Sequence, residues 1–287
     1  MKYCESYTSC KEERVLLFNK NGFDIKQCKK CGYRYTTLNK LENHLASVYS
    51  DDYFFKGQSG YPNYLEEKDI LIRAGKKYAK IVGKYTKVGK VLDVGSAAGF
   101  ILKGFEDMGW NCQGIEPNDT MASYGRNELN LNITTGGFEE FNSPNKFDLI
   151  TLIEVIGSFY DLDKAMQNVV RLIKNDGMVL VESWDRKSLV ARLFGKRWHE
   201  YCPPTVIHWY SDKTLSDLFS YYGFKLIAKG RPSKRININH GLSIFETNSP
   251  KFFMKKRLIG FFARKFGRKS MRYPPFDLKW YLFKKTS

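Results

Sequence analysis

A strand-like apolar run that ends in very small residues is the first stretch able to do chemistry. Residues 91–100 read VLDVGSAAGF, so Asp93 lies inside the run and Gly95 and Gly99 follow it. This spacing differs from the G-x-G-x-x-G loop of dinucleotide-binding folds, and alone it also fits an ordinary strand-to-helix turn. Small residues let a ligand approach the backbone, and the first N–H groups of the next helix can receive a carboxylate.

Acids at the ends of later apolar runs extend this pattern. Glu116 ends the run NCQGIEP, where a carboxylate can accept hydrogen bonds from both ribose hydroxyls of a nucleoside. Phe138 and Glu139 follow the next run, where an adenine would lie, and Glu154 comes near the end of KFDLITLIEVI. Each acid alone fits a solvated or capping residue. Their order and spacing together predict a nucleoside-binding crevice.

The elements that must position these residues alternate in type along the chain. Residues 88–248 alternate strand-like and helix-like segments, which predicts an α/β fold with a mostly parallel sheet covered on both faces. Two later segments, FKLIAKG and LSIFET, predict an antiparallel hairpin at one sheet edge. Around this domain we expect a Cys-rich module at 1–40, an aromatic and helical connector at 41–87 that covers the site, and a basic helical tail at 249–287.

Composition and charge argue against a membrane-spanning or secreted protein. The chain has 287 residues and a net charge of +17, and residues 251–287 hold 12 Lys and Arg against one acid. No apolar run is long enough to span a membrane, and the N-terminus has no apolar core typical of a secretory signal. The sequence therefore predicts a cytoplasmic protein whose six cysteines are thiols or metal ligands rather than disulfides.

The cysteines of the N-terminal module suggest a structural zinc site. Cys28 and Cys31 are separated by two residues and followed by glycine, so one tight turn can present two thiolates. Cys4 and Cys10 are the upstream candidates for the second pair, although five residues lie between them. The alternatives are four free thiols or a site that has been lost.

The tail interleaves phenylalanines with lysines and arginines over residues 251–272. On a helix the aromatic residues gather on one face, which is typical of an interfacial helix on an anionic membrane and predicts peripheral attachment to the inner membrane face. A helix packed on the protein's own core and a nucleic-acid contact are the alternatives.

The domain from 88 to 184 resembles the class I S-adenosylmethionine-dependent methyltransferases. The resemblance lies in VLDVGSAAGF, GIEPN, TTGGFEEF, FDLITLIEVI and KNDGMVLVES. It implies a Rossmann-like methyltransferase sheet and S-adenosylmethionine as cofactor. The cofactor-binding residues that it implies are Asp93, Gly95, Ser96, Ala97, Gly99, Phe100, Glu116, Pro117, Phe138, Glu139, Ile153 and Glu154.

A longer resemblance, over about 1–248, is to bacterial methyltransferases of sugar and surface-polysaccharide pathways, which often carry an N-terminal zinc module. QCKKCGYRYT, YSDDYFFKGQSGYPNYLEEK and GKRWHEYCPPTVIHWYSDKTLSDLFSYYGF carry it. It implies methyl transfer to a nucleotide- or lipid-linked sugar or glycan. An RNA or protein methyltransferase and an inactive cofactor-binding partner subunit are the alternatives.

Two departures from this branch concern the catalytic residues. Val155 stands where the branch often has a histidine after Glu154, and Val206 stands where it often has a histidine after Pro-Pro. His208 and His199 lie nearby. The expected catalytic residues are therefore His208, His199 and Glu154.

Overall fold

The computed structural model describes residues 14–38, 48–56, 61, 63–232, 235–237, 270–272 and 276–286. Its strands are β1 (Arg14–Lys20), β2 (Phe23–Cys28), β3 (Arg34–Tyr35), β4 (Lys90–Val94), β5 (Asn111–Glu116), β6 (Ile133–Thr135), β7 (Phe147–Ile153), β8 (Ile173–Trp184), β9 (His208–Trp209), β10 (Phe224–Gly230), β11 (Arg235–Asn237), β12 (Ser270–Arg272) and β13 (Leu278–Lys285). Its helices are α1 (Asp51–Phe55), α2 (Lys68–Val82), α3 (Phe100–Glu106), α4 (Asp119–Leu129), α5 (Leu162–Leu172), α6 (Leu189–Phe194) and α7 (Asp212–Tyr221). Among the described helices, none is long and apolar enough to cross a membrane.

The central sheet has seven strands in the order β10-β13-β8-β7-β4-β5-β6. Strands β4 to β8 are parallel, which confirms the predicted α/β class. The apolar run of β7 lies in the middle of the sheet and is largely buried, as expected for a strand covered on both faces. Strands β5 and β6 lie on one side of β4, and β7 and β8 lie on the other. In open α/β sheets, a ligand-binding crevice is expected where the strand order changes direction in this way, here between the carboxyl ends of β4 and β7.

The antiparallel part of the sheet differs from the sequence prediction in one strand. FKLIAKG forms the edge strand β10 as expected, but its partner is β13, which lies between β10 and β8 and is antiparallel to both. LSIFET lies outside the described residues. Residues 278–285 of the predicted tail are therefore a sheet strand and not an appended helix. Tyr281 and Phe283 are buried in the core on one face of the sheet, and Leu282 is buried in the core on the other.

The predicted interfacial helix at 251–272 falls mostly outside the described residues. Its last three residues are described and form β12, which pairs with β11. The prediction is therefore wrong for 270–272, since paired strand backbone replaces the expected helix there.

The N-terminal hairpins join the larger domain through a second sheet of order β1-β2-β3-β9. Strand β3 pairs with β9, and Tyr33, Tyr35 and Cys28 are buried in the same apolar cluster as β7 and β8. The described part of the module is thus packed on the domain and shares its core.

Helices cover both faces of the central sheet. The core on one face includes residues of α5 and α7, and that on the other includes residues of α2 and α3. The last two helices pack at close range: a Cβ on Gly75 would lie 2.2 Å from the Ile101 carbonyl oxygen. Helix α2 thereby brings its preceding aromatic segment over the carboxyl edge of the sheet.

Candidate active site

The loop from β4 to α3 leaves the sheet in a conformation that favours small residues. Gly95, Ala97 and Gly99 all have positive φ, between 47° and 76°. A Cβ on Gly99 would lie 2.6 Å from a methyl group of Leu131, and Phe100 starts α3 with a fully buried ring. The side chain of Ser96 is buried, and its Oγ has no hydrogen-bond partner among the described residues. Residues 96–99 are buried in this structure and Gly95 is partly exposed, so contact of a ligand with the loop backbone stays a prediction.

Glu116 ends β5 with its carboxylate held in place from both sides. Oε2 accepts a hydrogen bond from the Ala97 N–H and Oε1 accepts one from the Asn118 N–H, both at 2.8 Å. Burial raises the pKa of Glu116 to about 7, and these two hydrogen bonds oppose the rise. Each oxygen retains a second lone pair, so a ribose diol fits this carboxylate. Pro117 follows it and is partly exposed.

Asp93 lies under the loop, inside the sheet. Thr151 donates a hydrogen bond of 2.5 Å to it across the β4–β7 pair. Burial raises the pKa of Asp93 to about 7, and the Thr151 hydrogen bond lowers it. Asp93 thus ties the loop's entry to the end of β7, where Ile153 is half-buried.

Phe138 and Glu139 lie in a short 3-10 turn after β6. The Phe138 ring is buried against Phe159, with centroids 5.9 Å apart. Glu139 accepts a hydrogen bond from the Tyr160 N–H, and its pKa is raised by burial. The turn is therefore joined to the loop after β7, and the predicted place of the two residues beside an adenine stays a prediction.

Glu154, like Ala97, is a non-glycine residue of the site with strained backbone. It follows β7 with φ of 59°, a left-handed conformation that non-glycine residues seldom adopt. Its N–H donates to the Glu182 carbonyl at 3.0 Å. Strain of this kind collects at functional sites, where the surrounding structure holds it. A small cavity beside it is lined by Glu154, Ile156, Gly157, Glu182, Ser183, Trp184, Glu200, His208 and Trp209.

Tyrosines and carboxylates converge next to Glu154. Tyr78 of α2 donates a hydrogen bond to the Glu182 carboxylate. The pKa of Tyr61 is raised well above its usual value by burial and by the charges of Glu154, Glu67 and Glu182. This part of the crevice is therefore negative and rich in hydrogen-bond acceptors.

Part of the connector predicted at 41–87 contacts the loops that follow β4 and β5. Asn118, which follows Glu116 and Pro117, donates from Nδ2 to the Tyr49 carbonyl and to the Asp51 carboxylate, both at 3.0 Å. Tyr64 stacks on Phe100, with ring centroids 5.4 Å apart. The aromatic segment is thus tied to the loops that surround the cofactor position.

The geometry does not favour the predicted base role of His208. Its Nε2 lies 2.8 Å from the Phe159 carbonyl and its Nδ1 lies 2.7 Å from the Tyr33 hydroxyl. The ring therefore donates from Nε2 and accepts at Nδ1. Burial lowers the pKa of His208 to about 4, so the ring is neutral at physiological pH. Because both nitrogens are engaged by the protein, His208 joins β9 to the loop after β7 rather than accepting a proton from an acceptor.

His199 lies next to Trp184, one of the residues that line the cavity. Its ring contacts Trp184 edge to face, with centroids 4.7 Å apart, and its Nδ1 is 4.0 Å from Oδ2 of Asp277. That oxygen also accepts a hydrogen bond from Trp198 Nε1 at 2.9 Å. A buried carboxylate beside an imidazole is an arrangement that can orient the ring and stabilise its protonated form.

The predicted zinc ligands are described only in part. Cys28 is buried and Cys31 is partly buried on one tight turn, closed by a hydrogen bond of 2.9 Å from the Gly32 N–H to the Cys28 carbonyl. Cys4 and Cys10 lie outside the described residues. Within the described ranges, no group of three or more His, Cys, Asp or Glu side chains is arranged to hold a metal.

Several residues of the site were missed from the sequence. Glu182 is an acid at the end of an apolar run, the same signal that identified Glu154, and could have been found. Tyr61 and Tyr78 lie in a segment where tyrosine is frequent, so their types gave no signal. Asp277 lies in the basic tail, far from the motifs, and only the fold brings it to His199.

Comparison with known proteins agrees with this geometry. The family described as "Methyltransferase domain" matches residues 67–229, which is more than half of the chain. The match includes β4 to β8 and every predicted cofactor residue.

Solved structures share the fold at low sequence identity. YcgJ from Bacillus subtilis aligns with a TM-score of 0.53 and 19% identity, covering 75% of this chain and 99% of its own. The plantazolicin methyltransferase BpumL, solved with S-adenosylhomocysteine, aligns with a TM-score of 0.53 and 16% identity, covering 85% and 95%. At such identities the likeness shows the fold alone.

Curated relatives are named for ubiquinone biosynthesis. The ubiquinone biosynthesis O-methyltransferase of Rickettsia bellii is 26% identical over 114 residues, which are 37% of this chain and 48% of that protein. The chain thus spans about half the length of the curated relatives that it matches. Because the family model matches more than half of the chain, this chain belongs to the methyltransferase-domain family.

Proposed function

We propose that the enzyme methylates a sugar or glycan, carried on a nucleotide or a lipid, in saccharide biosynthesis. The observation that carries the proposal is the pair of carboxylates of Glu154 and Glu182, which lie at the ends of β7 and β8 and line one small cavity. An ionised carboxylate only accepts hydrogen bonds, so this surface suits an acceptor with several O–H or N–H donors. A sugar has such donors on neighbouring carbons.

We also propose that the chain is an S-adenosylmethionine-dependent methyltransferase whose cofactor binds in this crevice. Glu116 would bind the ribose hydroxyls, because both of its oxygens are aimed by backbone N–H groups and keep free lone pairs. Gly95 to Gly99 would lie along the methionine part, and Phe138 and Glu139 would lie beside the adenine. S-adenosylmethionine, when bound, supplies a methyl group on a positively charged sulfur.

The protein's own contribution is mainly orientation. Glu154 and Glu182 would hold the acceptor's donors, and the aromatic segment over the crevice would exclude water. Fixing the nucleophile about 3 Å from the methyl carbon supplies a large part of the rate acceleration in such transfers. His199 is the proposed base for the acceptor's proton, with Asp277 stabilising the imidazolium.

The test is transfer of a labelled methyl group from the cofactor to a panel of acceptors. The panel holds nucleotide-linked sugars, lipid-linked sugars, a quinol precursor, and bulk RNA. We expect label in a sugar acceptor, followed by identification of the methylated atom. Label in the quinol precursor alone would favour a function like that in the relatives' names. Label in RNA, or cofactor binding with no transfer to any acceptor, would contradict the proposal.

We also propose that Cys4, Cys10, Cys28 and Cys31 bind a structural zinc ion and that the protein is cytoplasmic. The tight Cys28–Cys31 turn supports the zinc site. Protein purified without chelators should carry about one zinc per chain, and Cys28→Ser should release it. Occupancy well below one half, or the same occupancy in the variant, would count against the site.

A further inference from the structure

Helix α6 presents apolar side chains to solvent. Leu189, Leu193 and Phe194 are 72%, 83% and 57% exposed, which is unusual for large hydrophobic residues of one short helix. Leu189 and Leu193 are four residues apart and so share one helix face. We call Lys187, Leu189, Arg192, Leu193, Phe194, Lys196 and Arg197 the α6 patch.

The helix is anchored from its other side. Ser188 caps it by accepting a hydrogen bond of 3.0 Å from the Ala191 N–H. Ala191 is buried and Val190 half-buried in an apolar cluster with Trp198 and Trp209. The patch is therefore held in a fixed orientation with its apolar side chains pointing away from the core.

Four exposed cations lie among and next to these apolar residues in the sequence. Lys187, Arg192, Lys196 and Arg197 are exposed, and residues 187–197 include no acid. None of the four makes an ion pair with a residue that the structure describes. This combination matches the chemistry of an anionic lipid surface. The apolar side chains can enter the boundary of the acyl chains, and the anionic headgroups attract the lysines and arginines.

The α6 patch is joined by short stretches of chain to the wall of the cavity beside Glu154. Strand β8 ends at Trp184, which lines the cavity, and α6 begins five residues later at Leu189. The chain returns through Trp198 to Glu200, which also lines the cavity. The segment that forms the patch thus connects two residues of the cavity wall, Trp184 and Glu200.

We propose that the α6 patch docks on an anionic membrane surface and brings the cavity to a lipid-linked acceptor. The docking part is independent of the enzyme's acceptor, whereas delivery of a lipid-linked sugar rests on the proposed function. A nucleic acid could bind the cations through its phosphates, but it would not account for the exposed Leu189 and Leu193.

The experiment is cosedimentation of the full-length chain with vesicles of phosphatidylglycerol and phosphatidylcholine, and with phosphatidylcholine alone. Leu193→Glu with Phe194→Glu adds two charges to the patch. Tyr85→Glu with Val88→Glu is the matched control, because these exposed residues lie before β4, away from the carboxyl edge. Residues 251–269 are unchanged in both variants.

We expect the wild type and the control to bind the anionic vesicles, and the patch variant to bind at least about tenfold more weakly. Cofactor affinity should be the same in all three, which separates this result from failure of the methyltransferase site. Equal vesicle binding by both variants, or no binding by the wild type, would overturn the proposal. Concentration-dependent dimers that only the patch variant loses would assign the surface to a second copy instead.

Discussion

At the scale of single residues, the site is a set of carboxylates in three different settings. Glu116 is aimed by two backbone N–H groups, Asp93 is hydrogen-bonded to Thr151, and Glu154 is held in left-handed backbone beside the cavity. The sequence identified all three, because each ends or interrupts an apolar run. It could not identify Ala97 and Thr151 as partners, since they come from other parts of the chain, whereas Asn118 is a local partner two residues after Glu116.

Replacing Glu154 by Gln should impair transfer more than cofactor binding. The variant keeps the shape but loses a charged acceptor, and hydrogen bonds to charged groups contribute about 1.5–3 kcal/mol, or roughly 10- to 150-fold in kcat/KM. Steady-state kinetics with saturating cofactor measure this loss. Glu128→Gln, on the exposed face of α4, is the control. Unchanged kcat/KM in the Glu154 variant would remove that residue from the acceptor site.

His208 should contribute stability that depends on pH. Its folded pKa of about 4 lies below the unfolded value of about 6.5, so the unfolded chain binds the proton first. The contribution is complete above pH 6.5 and declines as the pH falls toward 4, by about 3 kcal/mol in total.

Denaturant unfolding at pH 7.5 and pH 5 measures this contribution. The wild type should lose more stability on acidification than His208→Gln, in which this titration is absent. Equal losses would contradict the neutral, doubly hydrogen-bonded ring.

At the scale of elements, the parallel strands were predictable and the antiparallel one was not. Apolar runs separated by amphipathic helices predict β4 to β8 because local pattern determines them. Strand β13 follows the basic residues of the tail and itself ends in two lysines, and its place between β8 and β10 is fixed by pairing with residues about 50 to 100 positions away. The basic composition of the tail therefore gave no sign that residues 278–285 form a strand.

Strand β13 should be essential to the core, unlike the residues just before it. Phe283 is fully buried and stacks on Phe219 at 4.1 Å, whereas Phe276 is 57% exposed. Phe283→Ala should cost about 3–5 kcal/mol of unfolding free energy, and Phe276→Ala less than about 1 kcal/mol. Chemical denaturation compares the two. Similar costs would contradict the placement of β13 in the sheet.

At the scale of the whole molecule, the pieces expected to be separate are interlocked. The N-terminal hairpins share a sheet with β9, and the end of the tail completes the central sheet. Removing residues 249–287 should therefore unfold the domain. If these residues were an appended tail, their removal would leave cofactor binding intact. The sequence could not show this, because the contacts join the two ends of the chain to its middle.

The central claim is that the crevice between β4 and β7 binds S-adenosylmethionine through Glu116. Calorimetric titration of the wild type and Glu116→Gln, at pH 8 and pH 6, tests it most directly. Ribose hydroxyls favour the ionised carboxylate, whose pKa is about 7 in the free protein, so wild-type affinity should fall as the pH drops below 7. The variant should bind more weakly at pH 8 by about 1–3 kcal/mol and lose less affinity at pH 6. Equal affinity of the two proteins at both pH values would contradict the claim.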